Sequence, residues 1–239
     1  MSINRRHLLQ ASSATLILGS LPFTAMAQTA PRLKIGVIGS GRVGSTLGGA
    51  WVKAGHEVMF SSLDIEHDKK LAASLGGKAS AGTTRQAAAF GSVLLISVPY
   101  AALPGIGKEL ANEIKGKVVI DTSNPIVARD GDMATAAREK GAGLASSEFL
   151  TGTRIVRAFN AVGFARMAEA AKNAGKMGMP IAADDKAAID IVMPLVREVG
   201  YEPVLVGTLA TMGKHLIPGT PLAGERSPED IRKILPTLK

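Results

Sequence analysis

The chain has no cysteine, and only nine of its 239 residues are aromatic. The first absence excludes thiolate metal sites, disulfides and thiol nucleophiles. Charge of one sign is not concentrated either: 28 Lys and Arg stand against 20 Asp and Glu, a formal +8, yet no block of five or six like charges occurs. Binding to nucleic acid is therefore not the expected role. With 46% hydrophobic residues, 20% charged, 27 Gly and 12 Pro, the composition is that of a soluble globular protein rather than a disordered or collagenous one.

The first 27 residues do not read as fold. A positive stretch, Asn4-Arg5-Arg6-His7, leads into a mostly apolar run from Leu8 to Phe23 and ends at Ala25-Met26-Ala27, a small-x-small cleavage pattern. The pair Arg5-Arg6 followed by Leu8-Leu9 resembles a twin-arginine export signal, which implies a periplasmic or otherwise exported protein and the twin-arginine export machinery as a partner. Gln10, Ser12, Ser13 and Thr15 dilute the apolar run below what a membrane span of about 20 residues needs, so no membrane is expected for the mature form. An ordinary secretory signal is the alternative. Removing residues 1–27 takes away two arginines and no acid and leaves 212 residues at +6. Residues 28–32 read as a linker, 33–206 as one domain, and 207–239 as a tail packing on or near the acceptor site.

The strongest motif opens that domain. Leu33-Lys34-Ile35-Gly36-Val37-Ile38 reads as a buried parallel strand. It runs directly into Gly39-Ser40-Gly41-Arg42-Val43-Gly44, after which Val43, Leu47, Ala50 and Ala54 recur at helical spacing. In this context the glycines have separate tasks: Gly39 permits a tight turn, Gly41 lets the backbone approach a pyrophosphate, and Gly44 lets helix and strand pack closely. The pyrophosphate would lie on the unpaired N–H groups at the positive end of the helix. A second strand, His56 to Phe60, ends in Ser61-Ser62-Leu63, with Asp64 a few residues later. Two hydroxyls and no carboxylate at the strand tip lean towards NADP; NAD stays open because no arginine follows and Asp64 is near.

Further buried strands follow at 79–81, 93–98, 117–121, 154–159, 179–182 and 201–206, separated by helical patterns, so an α/β doubly wound parallel sheet, the Rossmann fold, is expected. Ligands of such sheets bind beyond the carboxyl ends of the strands. There stand Ser97-Val98-Pro99-Tyr100, Thr122-Ser123-Asn124-Pro125 and Phe159-Asn160-Ala161, with Asn124 and Asn160 as candidate hydrogen-bond partners of a carboxamide or flavin-like edge. Plain turn chemistry is the competing reading of Asn124-Pro125.

The order GSGRVGSTLGGAWVKAGHEV, LLISVPY, VVIDTSNP, IVRAFNAVG and HLIPGTPLAG resembles the NADPH-dependent reductases of the deazaflavin coenzyme F420, and the related reductase domain of six-transmembrane metalloreductases. The resemblance covers about residues 33–225. It implies that Gly39, Ser40, Gly41, Arg42, Val43 and Gly44 hold the pyrophosphate and that Ser61 and Ser62 hold the 2′-phosphate. It also implies that Ser97, Val98, Pro99 and Asn124 face the nicotinamide, and that Ala158 and Asn160 border the acceptor pocket. Leu63 departs from the family, whose members usually carry an arginine there.

Reducing a carbonyl or imine requires a proton donor as well as hydride. No acid–base constellation is visible, and no catalytic side chain is assigned. Hydride transfer between two stacked rings needs chiefly proximity and orientation. The expected function is therefore an NAD(P)H-dependent oxidoreductase passing hydride between NADPH and a flavin or deazaflavin. A dinucleotide-binding sensor without catalysis, or flavin-mediated ferric-chelate reduction, are the alternatives. Lys214, His215 and Arg226 are candidates for attracting an anionic acceptor, with a solvated basic surface as the competing reading; a homodimer is left open.

Overall fold

The computed structural model describes residues 32–238. Residues 1–31, on which the export-signal reading falls, and Lys239 lie outside them. Eight strands form one sheet: β1 (Lys34–Ile38), β2 (Glu57–Ser61), β3 (Ala79–Ala81), β4 (Val93–Ile96), β5 (Val118–Asp121), β6 (Arg154–Arg157), β7 (Gly178–Ala183) and β8 (Glu202–Gly207). Their order is β3-β2-β1-β4-β5-β6-β7-β8. The chain thus builds outward from β1 to one edge, then crosses back to lay β4 on the other side of β1. That switch point opens a crevice at the carboxyl ends of β1 and β4.

The helices are α1 (Arg42–Ala54), α2 (Ile65–Leu75), α3 (Thr84–Phe90), α4 (Leu103–Glu109), α5 (Ala111–Ile114), α6 (Val127–Lys140), α7 (Ala142–Phe149), α8 (Phe164–Glu169), α9 (Lys186–Val199), α10 (Leu209–Met212) and α11 (Pro228–Ile234). Two apolar clusters, one on each face, bury the sheet. Leu47 and Trp51 of α1 and Val192, Leu195 and Val196 of α9 pack on one face with Phe159 and Tyr201. Tyr100, Leu103, Ile114, Ala145 and Leu150 cover the other. Strands buried on both faces need continuous apolar sequence, which is why Val93–Ile96 and Val118–Ile120 are entirely buried.

The expected wholly parallel sheet is corrected at one edge. β6 and β7 are antiparallel, with Val156 opposite Ala183 and Arg157 opposite Ala182, and β8 runs parallel to β7. A parallel neighbour requires the chain to cross to the other end of the sheet. Residues 158–177, carrying α8 and a 3₁₀ turn, instead stay at the carboxyl end of β6 and enter β7 from there. Leu103, Ile106, Leu110 and Ile114 are spaced as one helical face, but they are divided between α4 and α5 at Leu110, where φ is −111° and ψ 18°. Residues 207–238 contain α10, α11 and 3₁₀ turns, and a small cluster of Met212, Leu216, Leu222 and Ile231 covers Ala182 and Val204 on β7 and β8.

Candidate functional site: a cleft over the glycine loop

A cleft of about 360 Å³ lies at the switch point, lined by Gly41, Arg42 and Val43 after β1, Ser97, Val98 and Pro99 after β4, Thr122 and Asn124 after β5, and Ile126 and Arg129. Each glycine of the loop has a distinct local reason. Gly39 has φ +96°, and a Cβ there would meet the Ser97 carbonyl oxygen at 2.2 Å. At Gly44 a Cβ would meet the Gly39 carbonyl oxygen at 2.0 Å, so only hydrogen permits α1 to start this close to the strand. Gly41 is different, with nothing within 4 Å of its would-be Cβ. Two glycines are filled from inside the fold and the third faces open space.

Gly41 is also the N-cap of α1, with no side chain capping the helix and no acid in its first turn. The first N–H groups of a helix have no partner within it, so this end offers donors and positive dipole to an anion. Backbone hydrogen bonds from Gly39 and Ser40 to the Ser61 carbonyl, 2.9 and 3.1 Å, hold the loop against the end of β2. The residues present therefore fit the pyrophosphate of a dinucleotide. Arg42 lies over the Phe164 ring, 5.0 Å from its centroid, at the same mouth.

At the β2 end the arrangement departs from expectation. Ser61 is fully buried, and its hydroxyl donates to the Val37 carbonyl at 2.7 Å, so it faces the sheet and not a ligand. Ser62 donates to Asp68 at 2.9 Å. Asp64 accepts the His67 N–H at 3.0 Å as the N-cap of α2, which fixes it away from a ribose. Leu63 is fully exposed.

Beyond β5 and β6 lies a buried polar network. Asp121 and Arg157, adjacent in the β5–β6 register, are both fully buried and pair at 2.5 Å. Arg157 also donates to the carbonyls of Ser123 at 3.2 Å and Leu216 at 3.3 Å, tying the carboxyl-terminal segment to the site. The Asn124 amide donates to the Asn160 carbonyl at 2.8 Å, which leaves one amide hydrogen for another partner. Asn160 donates to the Ser123 carbonyl at 3.4 Å, while its own side-chain oxygen and the Ser123 hydroxyl are buried without partners. Phe159, between Ala158 and Asn160, has φ +66°, an uncommon conformation for a bulky residue and one concentrated at functional sites. Ala158 is fully buried and Asn160 nearly so, behind the cleft wall rather than on it.

Arg129 is fixed at the cleft by 2.7 and 2.9 Å contacts to Asp130 and by donation to the Asn124 carbonyl. The Arg129 guanidinium, and then the Ile126 and Ala101 N–H groups, hold the Asp130 carboxyl below the usual carboxylate range. Tyr100 turns away into the opposite core, where its hydroxyl donates to the Ala142 carbonyl at 3.0 Å and burial pushes it up to about 12. Lys214, His215 and Arg226 are not among the residues lining the cleft. The Gly224 N–H donates to the Ala161 carbonyl at 2.8 Å, so the tail packs on the loop that carries Asn160. Sequence reasoning missed Asp68 and Arg157. For Arg157 a signal existed: two neighbouring strands with apolar centres end in charges of opposite sign, Asp121 and Arg157.

Residues 34–125 match the family described as NADP oxidoreductase, coenzyme F420-dependent. No curated protein matches the chain. Among solved structures, a hypothetical protein of Sinorhizobium meliloti is 24% identical with a TM-score of 0.70, over 84% of this chain and 97% of that one. A proposed F420-dependent NADP reductase of an Arthrobacter species is 19% identical with a TM-score of 0.59, over 77% of this chain and 90% of that one. An imine reductase of Myxococcus stipitatus, solved with NADP+, is 19% identical with a TM-score of 0.56, over 78% of this chain and 58% of that one. These likenesses establish the fold. The matched segment contains the glycine loop, α1 and the carboxyl ends of β2, β4 and β5, and over it the chain is similar to the NADP oxidoreductases of the coenzyme F420-dependent family.

Proposed function

We propose that the protein transfers a hydride between NADPH and a flavin or deazaflavin ring. The observation that carries this reading is the lining of the cleft. Among the described residues it is lined by no Lys, His, Tyr, Asp or Glu, and its two charged residues are arginines, which do not exchange protons near neutral pH. Carbonyl or imine reduction calls for a positioned proton donor. A ring acceptor that takes up hydride needs only to be stacked at the right distance and angle. Bound NADPH supplies the hydride, and the protein's share is orientation and exclusion of water. Ser97, Val98 and Pro99 would border the nicotinamide from the β4 side, Thr122 and Asn124 from the β5 side. Ile126 and Arg129 would meet the acceptor at the mouth, the first by apolar contact and the second by charge.

Purified protein is expected to oxidise NADPH on addition of at least one of FMN, FAD or a deazaflavin, read as loss of NADPH absorbance. Absorbance that stays flat with every acceptor, while NADPH binding is measurable, would leave a dinucleotide-binding sensor instead. We also propose that residues 1–27 direct export of the folded protein by the twin-arginine route, as the Arg5-Arg6 motif suggests. The same expression tests this: the Arg5→Lys, Arg6→Lys double variant is expected to stay in the cytoplasm, and its normal export would refute the route.

A further inference from the structure

The corner between β2 and α2 contains a carboxylate that the sequence pattern did not single out. Asp68 is fully buried in the first turn of α2. One of its oxygens accepts the hydroxyl of Ser40, the residue between the first two glycines of the loop, and the other accepts the hydroxyl of Ser62 at 2.9 Å. Ser62 in turn accepts the Asp64 N–H at 3.1 Å. Both carboxyl oxygens are thus engaged by serine hydroxyls. No Lys, Arg or His is paired with it among the described ion pairs, and it lies in the first turn of α2, where the helix dipole favours negative charge.

This disposes of every hydroxyl that stands where the ribose phosphate would lie. A serine has one proton to give. Ser40 gives its proton to Asp68, Ser62 gives its own to Asp68 at 2.9 Å or to the Asp64 carbonyl at 3.2 Å, and Ser61 gives its own to Val37. A phosphate offers only acceptors, so it would have to take a proton from the Asp68 contacts and sit one hydroxyl away from a buried negative charge. A ribose hydroxyl both donates and accepts, so its needs can be met without taking a proton from either serine. Leu63, fully exposed, supplies no charge at the position where an arginine would compensate a phosphate.

Resting on the dinucleotide reading of the cleft, we infer that Asp68 is a specificity-determining, positioning residue: through Ser40 and Ser62 it weakens the gain in affinity that a 2′-phosphate gives. It touches no substrate in this arrangement, and it acts by holding the protons of two serines and by its charge. A residue that merely pinned the loop to α2 would affect phosphorylated and unphosphorylated ligands alike, which separates the two roles.

The experiment is calorimetric titration of the purified protein with 5′-AMP and with 2′,5′-ADP, which differ only in the 2′-phosphate. The unmodified protein is expected to bind the second less than about tenfold more tightly than the first, since no charge-assisted hydrogen bond forms. Asp68→Asn, similar in shape, is expected to improve 2′,5′-ADP binding by about tenfold, with 5′-AMP changed less than about twofold. The KM for NADPH should fall with it while kcat stays constant. A hundredfold preference for 2′,5′-ADP in the unmodified protein overturns the inference even if Asp68→Asn does not fold. So does a folded Asp68→Asn that weakens or leaves unchanged both ligands equally. Failure of the unmodified protein to bind either nucleotide overturns the dinucleotide reading itself.

Discussion

At the scale of single residues, the three loop glycines make separable claims. Gly44 faces a carbonyl oxygen 2.0 Å from any added Cβ, and Gly41 faces nothing within 4 Å. Gly44→Ala must therefore move backbone, and overpacking of this kind costs about 1–3 kcal/mol. Gly41→Ala has room, and its effect on stability should stay within about 1 kcal/mol, the range of a changed N-cap. Its methyl group would occupy the approach of the pyrophosphate, so dinucleotide affinity should fall by about tenfold or more. Thermal melts beside nucleotide titrations test the pair. If Gly41→Ala destabilises the fold as much as Gly44→Ala, or binds dinucleotide as well as the unmodified protein, the open face is not a ligand site.

At the scale of elements, the central strands were legible because buried parallel strands are written as continuous apolar runs, as in Val93-Leu94-Leu95-Ile96 and Val118-Val119-Ile120. The direction of β7 and β8 was not, since the same side chains serve a strand running either way; what decides it is where residues 158–177 stay. Most of α6 also escaped notice. It is polar and changes direction at Gly131, with φ +59°, so no helical stripe runs through it. In the site, the glycine loop was readable because its three glycines stand at fixed spacing between the end of β1 and the start of α1. Asp68 was not, because Ser40 is 28 residues away, and Arg157 reaches Asp121 across 36. The helices of the tail were not legible because its apolar positions match shape rather than period: Ile231 of α11 is buried against Gly178 at the start of β7. Ile231→Ala should cost about 2–4 kcal/mol, read as a shift in denaturant midpoint. A change below about 0.5 kcal/mol, the range of a surface substitution, would mean that α11 does not cap the sheet.

At the scale of the whole molecule, stability should fail differently at the two ends of the pH range. On the acid side the Arg154 hydrogen bonds hold Asp185 at about 2, so its contribution is complete above the ordinary carboxylate value and is lost as pH falls from about 4 towards 2. That pair is solvent-accessible, at 32% and 40% side-chain exposure, so its loss should be shallow. The alkaline side is governed from within the two cores. Burial raises Tyr100 and Tyr201 to about 12, one on each face of the sheet. Each favours its neutral form in the folded state, so the stability they contribute is full below about 10 and drains as pH rises from about 10 to 12. Melting temperature should therefore fall steeply above about pH 10, with tyrosinate absorbance appearing at the unfolding transition rather than before it. Tyr100→Phe tests the assignment because it separates two effects. At neutral pH it removes the hydrogen bond to the Ala142 carbonyl and leaves that acceptor and Ser146 to find new partners, at a cost of about 1–3 kcal/mol. Above pH 10 it removes one of the two ionisations, so the alkaline limb should become shallower even though the protein starts less stable. A limb of unchanged slope would place the alkaline weakness outside the Tyr100 core.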